Sequence, residues 1–526
     1  MACSNLSTAR WASFAATAAG LALAAAQAAQ AQPMPPAQSS VRIQGPGVRD
    51  PIMRGPLFSD VIGRDRRAPD ERPPAQSLTI VPTVGVRVLA TDNVYLTPSN
   101  HVSDIVTSPF ASVTASLAGP RSNGAVSAEA GYDSYSRAHQ FNGFSFTGWA
   151  TGDYQIVRRF LSIEADGGVT NGNVSAFGTP AVDRTGVAGR TQLVNLAIGP
   201  RLTTTLGDLL DLQAIARLRW VGYSAGENST TTGLPEDSTI REVSAAVTTG
   251  DRFERVEAAM SATYQADDND FSSYGALASV YFRVSPSLRL LARGGADDID
   301  EPGSVDIQAP VWSVGVEYEI NSRSYVRLEG GRRYHEDNFA AESYVELTDR
   351  FYLTGSYSER ILPPQISQND GFLSFVNNNQ SLPPPIASER FGIFGNLLND
   401  TSKDKVGAIR AAYTWPAQEI GIGASWTGRE VLATGQRDET VTASISYMRR
   451  MRPDLTGEIA LYYSKVRGGD LSGNSRRLEG SARLSYQFTP QIQITGGYAY
   501  SNDLQTGFGR ERLVENVAFA GISKSF

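Results

Sequence analysis

From Leu78 to the C-terminus the chain alternates apolar and polar side chains with period two, the spacing that sends successive residues to opposite faces of a strand. Between 476 and 488, Leu478, Gly480, Ala482, Leu484, Tyr486 and Phe488 share one face, while Arg477, Glu479, Ser481, Arg483, Ser485 and Gln487 share the other. Trp312, Val314, Val316, Tyr318 and Ile320 alternate in the same way with Ser313, Gly315, Glu317 and Glu319, as do Ile420, Ile422, Ala424 and Trp426 with Gly421, Gly423, Ser425 and Thr427. Val256, Met260 and Tyr264 stand against Arg255, Glu257 and Ser261. The predicted elements are amphipathic β-strands.

Short turn-like breaks, as at 205–208, 285–287 and 416–417, alternate with longer polar ones, as at 92–103, 137–142, 297–308, 428–437 and 361–402. About ten short and about eleven long breaks give about 22 strands, with 16 to 22 as the working range, and about 20 residues per strand and connection. That spacing fits a transmembrane antiparallel up-and-down β-barrel, with short turns on one rim, long loops on the other and the apolar face toward lipid. A soluble β-architecture burying the same face is the alternative. Tyr154, Phe160, Phe282, Tyr318, Tyr325, Tyr352, Trp415, Phe488 and Phe526 all lie near short turns, and are the expected aromatic girdle on the periplasmic side. On the polar faces, Arg217, Arg219, Arg283, Arg289, Arg293, Arg327, Arg477 and Arg483 with Glu317, Glu319, Glu329, Glu458 and Glu479 are the expected lumen-facing set. Interleaved signs spend most of the field between wall charges, so weak ion selectivity is expected, and the pairs could equally serve only to stiffen the wall.

A composition of 41% hydrophobic and 19% charged residues looks soluble, but a barrel needs only every second strand residue to be apolar. A net charge of −7 offers no basic footprint for nucleic acid. One Cys and three His leave little material for metal or nucleophile chemistry, and neither a cofactor nor a metal is expected.

Arg10 followed by the apolar run Trp11 to Ala26, then Ala26-Gln27-Ala28 and Ala29-Gln30-Ala31, reads as a cleaved signal peptide over 1–31. Residues 32–77, punctuated by Pro-Met-Pro-Pro and Arg72-Pro73-Pro74, read as a disordered periplasmic linker. The barrel then occupies 78–526. A linker this short and Pro-rich is not expected to form the folded plug of a large transporter barrel. The long segment 361–402, carrying Phe372, Phe375, Phe391 and Phe394, is expected either to fold inward as a constriction or to lie on the surface. Terminal Phe526, with Ile522, Ala520 and Ala518 on its face, is similar to the C-terminal signature read by the barrel-assembly machinery, although Lys524 departs from it.

Thr91-Asp92-Asn93-Val94-Tyr95-Leu96, Ser103-Asp104, Ser108-Pro109, Glu329-Gly330-Gly331-Arg332-Arg333-Tyr334 and Tyr357-Ser358-Glu359-Arg360 resemble motifs of the outer-membrane β-barrel porin families found beside exopolysaccharide and PEP-CTERM sorting genes. The resemblance spans about 78–361 and implies an outer-membrane location and a role in export or surface-polymer biology; outer-membrane lipid and lipopolysaccharide of a Gram-negative bacterium and periplasmic export components are the expected partners. It brings no catalytic residues.

Gly222-Tyr223-Ser224-Ala225-Gly226 matches G-x-S-x-G, but it ends an amphipathic strand with no helix to follow. Acidic runs at 267–270 and 297–301 lack EF-hand spacing and read as solvated loop tips. Three functions are therefore carried forward: a porin-like pore for small solutes or polysaccharide, a non-conducting assembly scaffold, and, as the weakest, a hydrolase using Ser224.

Overall fold

The computed structural model describes residues 77–173, 190–225, 237–250, 252–253, 255–268, 270–301, 305–321, 323–362, 401–468, 474–505 and 511–526. The expected signal peptide and nearly all of the expected linker lie outside these residues, as do 363–400 of the long segment. The first strands are β1 Ser77–Thr91, β2 Asp104–Ala118, β3 Ser122–Tyr135, β4 Gly143–Val157, β5 Leu161–Asn173, β6 Arg190–Leu206 and β7 Leu210–Ala225. They continue as β8 Ser238–Thr249, β9 Val256–Ala266, β10 Ser272–Ser285, β11 Leu288–Glu301, β12 Val305–Asn321, β13 Ser324–Arg333, β14 Glu336–Thr348 and β15 Phe351–Leu362. The last are β16 Ser402–Trp415, β17 Gln418–Val431, β18 Arg437–Arg452, β19 Leu455–Gly468, β20 Asn474–Gln487, β21 Ile492–Gln505 and β22 Glu511–Ser525.

Each strand pairs antiparallel with its sequence neighbour, and β1 pairs with β22 from Thr83↔Ser525 to Thr91↔Val517. The sheet is thus a closed 22-stranded up-and-down barrel without a free edge, which satisfies its backbone groups without water. The strands are longer, and several connections shorter, than the sequence pattern suggests. Asp297 to Glu301 form the end of β11 rather than a loop tip, and β12 starts at Val305. The β13–β14 connection shrinks to Tyr334 and His335, both left-handed at φ +54° and +63°, the two-residue turn whose twist suits a hairpin. Polar rim segments pair because their neighbours do: once the registers are set, an unpaired backbone would be the costlier state.

Among the described residues no central core forms. The large apolar side chains point outward along most strands and stay solvent-accessible, as with Met260, Leu218, Val314, Ile409 and Leu484. The other face carries ion pairs that reach across an intervening strand. Arg87 of β1 meets Glu129 of β3, Arg217 of β7 meets Glu164 of β5, and Arg293 of β11 meets Glu329 of β13. Side chains two strands apart converge only on the concave surface of a barrel, which identifies the charged face as the inner one.

Two apolar clusters close over inner-face residues at the long-loop rim. One joins Leu193, Val221, Ile240, Phe271, Ile299, Tyr334 and Ile361. In the other, Leu89, Val106 and Tyr135, on the inner face of β1–β3, pack with Val94, Tyr95 and Val102 of the first long loop and with Phe141 of a single 3-10 turn, His139–Phe141. The first long loop therefore folds over the mouth.

Candidate functional site: the inner wall of the barrel

Strand register decides which expected lumen residues meet. Glu317 sits opposite Arg289 on one side and Arg327 on the other. It takes an ion pair from Arg289 at 3.4 Å and a hydrogen bond from Arg327 Nε at 2.8 Å, while Arg289 also holds Glu319 at 2.8 Å. Arg293 donates to Glu329 at 2.8 Å and to the Tyr281 hydroxyl at 3.1 Å. Arg333, which stood in a quoted motif but not in the expected lumen set, clamps Asp297 with bonds of 2.6 and 3.2 Å. On β5–β8, Glu164 is shared by Arg201 and Arg217 at 2.6 Å each, and Arg219 pairs with Glu242 at 2.9 Å. Arg283 lies directly opposite Arg289 in the register. Near the closing seam, Arg477 pairs with Asp503 at 2.9 Å and approaches Glu479 at 3.9 Å, and Arg483 sits opposite Glu458.

Two arginines of the inner wall cover phenyl rings: Arg87 stands 4.2 Å from the Phe110 centroid and Arg483 stands 5.5 Å from that of Phe519. Gly85 and Gly497 make room for these rings, since a Cβ at either would lie within 2.6 Å of ring carbon. By contrast, the mid-wall inner positions of β16–β18, Ala408, Gly421, Gly423, Ser425, Thr442 and Ser444, are small and uncharged around Arg410. The middle of β16–β18 is therefore a weakly charged stretch between the ion pairs of β5–β14 and those of β19–β21.

The expected girdle divides. Tyr154, Phe160, Phe282, Tyr318, Phe488 and Phe526 are exposed, and Trp415 shares the outward parity of Tyr413, Ile420 and Ile422. Tyr325 and Tyr352 are corrections. Tyr325 pairs with Glu319 and bonds the Glu342 carboxylate; Tyr352 pairs with Glu346, so both belong to the polar inner wall. Nearness to a turn had suggested the girdle, but strand parity decides the face. The sequence pattern also passed over a second aromatic row toward the long-loop rim: Phe144, Tyr264, Tyr274, Trp312, Phe339 and Tyr498 point outward there. On β10, Tyr274 and Phe282 bracket Ala276, Ala278 and Val280. Eight residues of tilted strand separate these rings by about 20 Å, close to the apolar height of an outer-membrane barrel.

The mouth is narrowed by described residues. Thr401 donates its hydroxyl to Glu301 of β11 at 2.8 Å, although β16, which starts at the next residue, lies five strands away in the sheet. Ser224 pairs with Gln192 in β7, whose pairing runs on through Ala225, so no strand-to-helix elbow forms at that serine; its side chain and Gly226 lie outside the described residues. The acidic residues at 267–268 are not idle tips. Asp267 accepts the Phe271 N–H at 3.0 Å, and Asp268 accepts the Ser238 hydroxyl and Thr239 N–H, both at 2.9 Å. Partial burial works to raise the Asp268 carboxyl, but these donors outweigh it and hold the group below its ordinary value.

No family model and no curated protein matches this chain. Among solved structures, the ferric-catecholate import receptor Fiu from E. coli K12 aligns over 84% of this chain and 81% of its own at 8% identity and a TM-score of 0.48. The FrpB iron transporter from Neisseria meningitidis aligns over 84% and 82% at 12% identity and 0.45. Acinetobacter baumannii OccAB4 aligns over 86% and 99% at 9% identity and 0.36. At these values the likenesses add nothing to what the strand pairing establishes.

Proposed function

We propose that this chain is an outer-membrane barrel of a Gram-negative bacterium that passes hydrophilic solutes through its lumen. One observation carries the reading: a closed sheet with an apolar, twice-girdled outer face and an inner wall of ion pairs and hydroxyls. An apolar outer face with these rings calls for lipid, and a charged inner face calls for water. Because the wall cations are mostly matched by carboxylates, weak ion selectivity is the expectation. Export of a surface polysaccharide, together with periplasmic export partners, is the cargo reading that the motif resemblance adds. Phe526, outward and exposed at the short-turn rim, is the residue we assign to recognition by the assembly machinery.

A specific observation favours a second reading, a non-conducting scaffold. The first long loop tucks over the mouth, and the Thr401–Glu301 bond draws β16 toward β11. Planar-bilayer recording on protein shown to be folded by heat-modifiable gel migration separates the two. Step conductances support the pore, and their absence from folded protein supports the scaffold. Ordinary migration of protein from a soluble fraction rejects both.

A further inference from the structure

We infer that the outward face of β19–β22 at the long-loop rim binds the phosphate groups of an outer-leaflet glycolipid, an inference that rests on the membrane reading above. Lys465 of β19 lies directly opposite Arg476 of β20, Arg476 lies opposite Leu504 of β21, and Leu504 lies opposite Arg512 of β22. Three cations thus stand in one cross-strand row, with roughly 14 Å between its end strands. Parity turns the row away from the lumen, because Arg477 and Asp503, which pair with each other, occupy the adjacent inner positions. Arg476 and Arg512 are exposed and Lys465 is half-buried.

The described carboxylates nearby are engaged elsewhere, Asp503 with Arg477 and Glu430 with Arg437. Glu439 lies opposite Arg467, above the row. The contact Arg512 does make is neutral, from its Nε to Asn502 Oδ1 at 3.1 Å. Like charges placed directly opposite each other destabilise a strand pair, so Lys465 and Arg476 call for a bridging anion. The occupant's other end is set by what lies beneath. Tyr463 and Leu478, one outward position below Lys465 and Arg476, begin the apolar belt, with Leu461 and Tyr498 below them. A ligand with phosphate above and acyl chain below fits that pairing; a soluble anion or an acidic protein meets only the upper half. Guanidinium groups bind phosphate bidentately, which favours arginine at two of the three positions.

The test measures binding of folded barrel in neutral detergent micelles doped with bisphosphoryl lipid A, with fully dephosphorylated lipid A, or with inorganic phosphate alone. The bisphosphorylated lipid is expected to bind at least tenfold more tightly than the dephosphorylated one, with inorganic phosphate competing poorly. Lys465→Gln/Arg476→Gln/Arg512→Gln, checked for folding by heat-modifiable migration, is expected to lose about tenfold or more, and single Arg476→Gln to lose part of that should the triple variant not fold. Arg449→Gln, which removes one outward cation at the opposite rim, is expected to bind like the parent. Equal affinity for the two lipids, an unchanged triple variant or an equal loss in Arg449→Gln overturns the inference. Loss of heat-modifiability in the parent chain would instead overturn the membrane reading.

Discussion

Glu317 illustrates how one carboxylate organises a stretch of wall. It is almost fully enclosed and serves both Arg289 and Arg327, so its removal leaves two guanidinium groups facing each other without their shared counter-charge. Because Arg289 keeps Glu319 and Arg327 keeps Glu342, Glu317→Ala is expected to cost about 1–3 kcal/mol in urea unfolding from detergent, the range for losing a charged hydrogen-bond partner in a partly wetted site. A loss under about 0.5 kcal/mol would mean that lumen water screens the pair. At the rim, Asp268 is an acceptor whose folded-state carboxyl is held low, so its stabilising contribution is present above the ordinary carboxylate value near 3.9 and fades as pH falls through the folded value. The protection of the Thr239 amide against hydrogen exchange, taken relative to its intrinsic rate at each pH, should therefore fall below about pH 4 in the parent, and Asp268→Asn should flatten that dependence. His335, at φ +63° in a two-residue turn, holds a conformation that costs a non-glycine residue energy, and His335→Gly is expected to raise stability by about 0.5–1 kcal/mol.

Among the elements, the closing seam is the one on which the barrel depends, and the motif Thr91-Asp92-Asn93 fastens it. Thr91 donates to Glu515 at 3.0 Å. Asp92 accepts from the backbone and side-chain nitrogens of Asn516 at 2.8 and 2.6 Å. Fully buried Asn93 donates to the Val514 and Thr97 carbonyls at 3.0 and 2.9 Å and accepts the Thr97 N–H at 3.0 Å. These bonds join the chain's first strand to its last and seat the first long loop over the mouth. Asn93→Ala is expected to open the loop without melting the sheet: protease cuts appear between 92 and 103 while the heat-modifiable band persists. Coincident loss of the band would show the rim and barrel to be one cooperative unit. The motif was visible in the sequence, but its task was not, because its partners lie more than 400 residues away.

Across the whole molecule, strand parity decides which surroundings each side chain meets. Ile445 and Ser446 are sequence neighbours on β18, one outward among Ile422 and Leu461, the other inward beside Gly421 and Ala460. Ile445→Arg is expected to lower stability by about 2–4 kcal/mol in lipid, the cost of an outward cation at mid-membrane, while Ser446→Arg stays near neutral. Equal effects at the two positions would argue that both faces meet water and that the barrel does not sit in a bilayer.

Strand type, antiparallel order and a count near 22 were legible in the sequence, since period two and alternating turn lengths are local properties that no tertiary contact need supply. The tertiary structure decided what depends on register. It placed Tyr325 and Tyr352 inside rather than among the girdle, revealed the second aromatic row, and joined Arg333 to Asp297 and Thr401 to Glu301. A one-residue slip moves a strand's every side chain to the other face, and the sequence of one strand does not state which residue of the next it meets. Closing the sheet fixes that pairing around the ring, and with it which side chains face the lumen and which face outward.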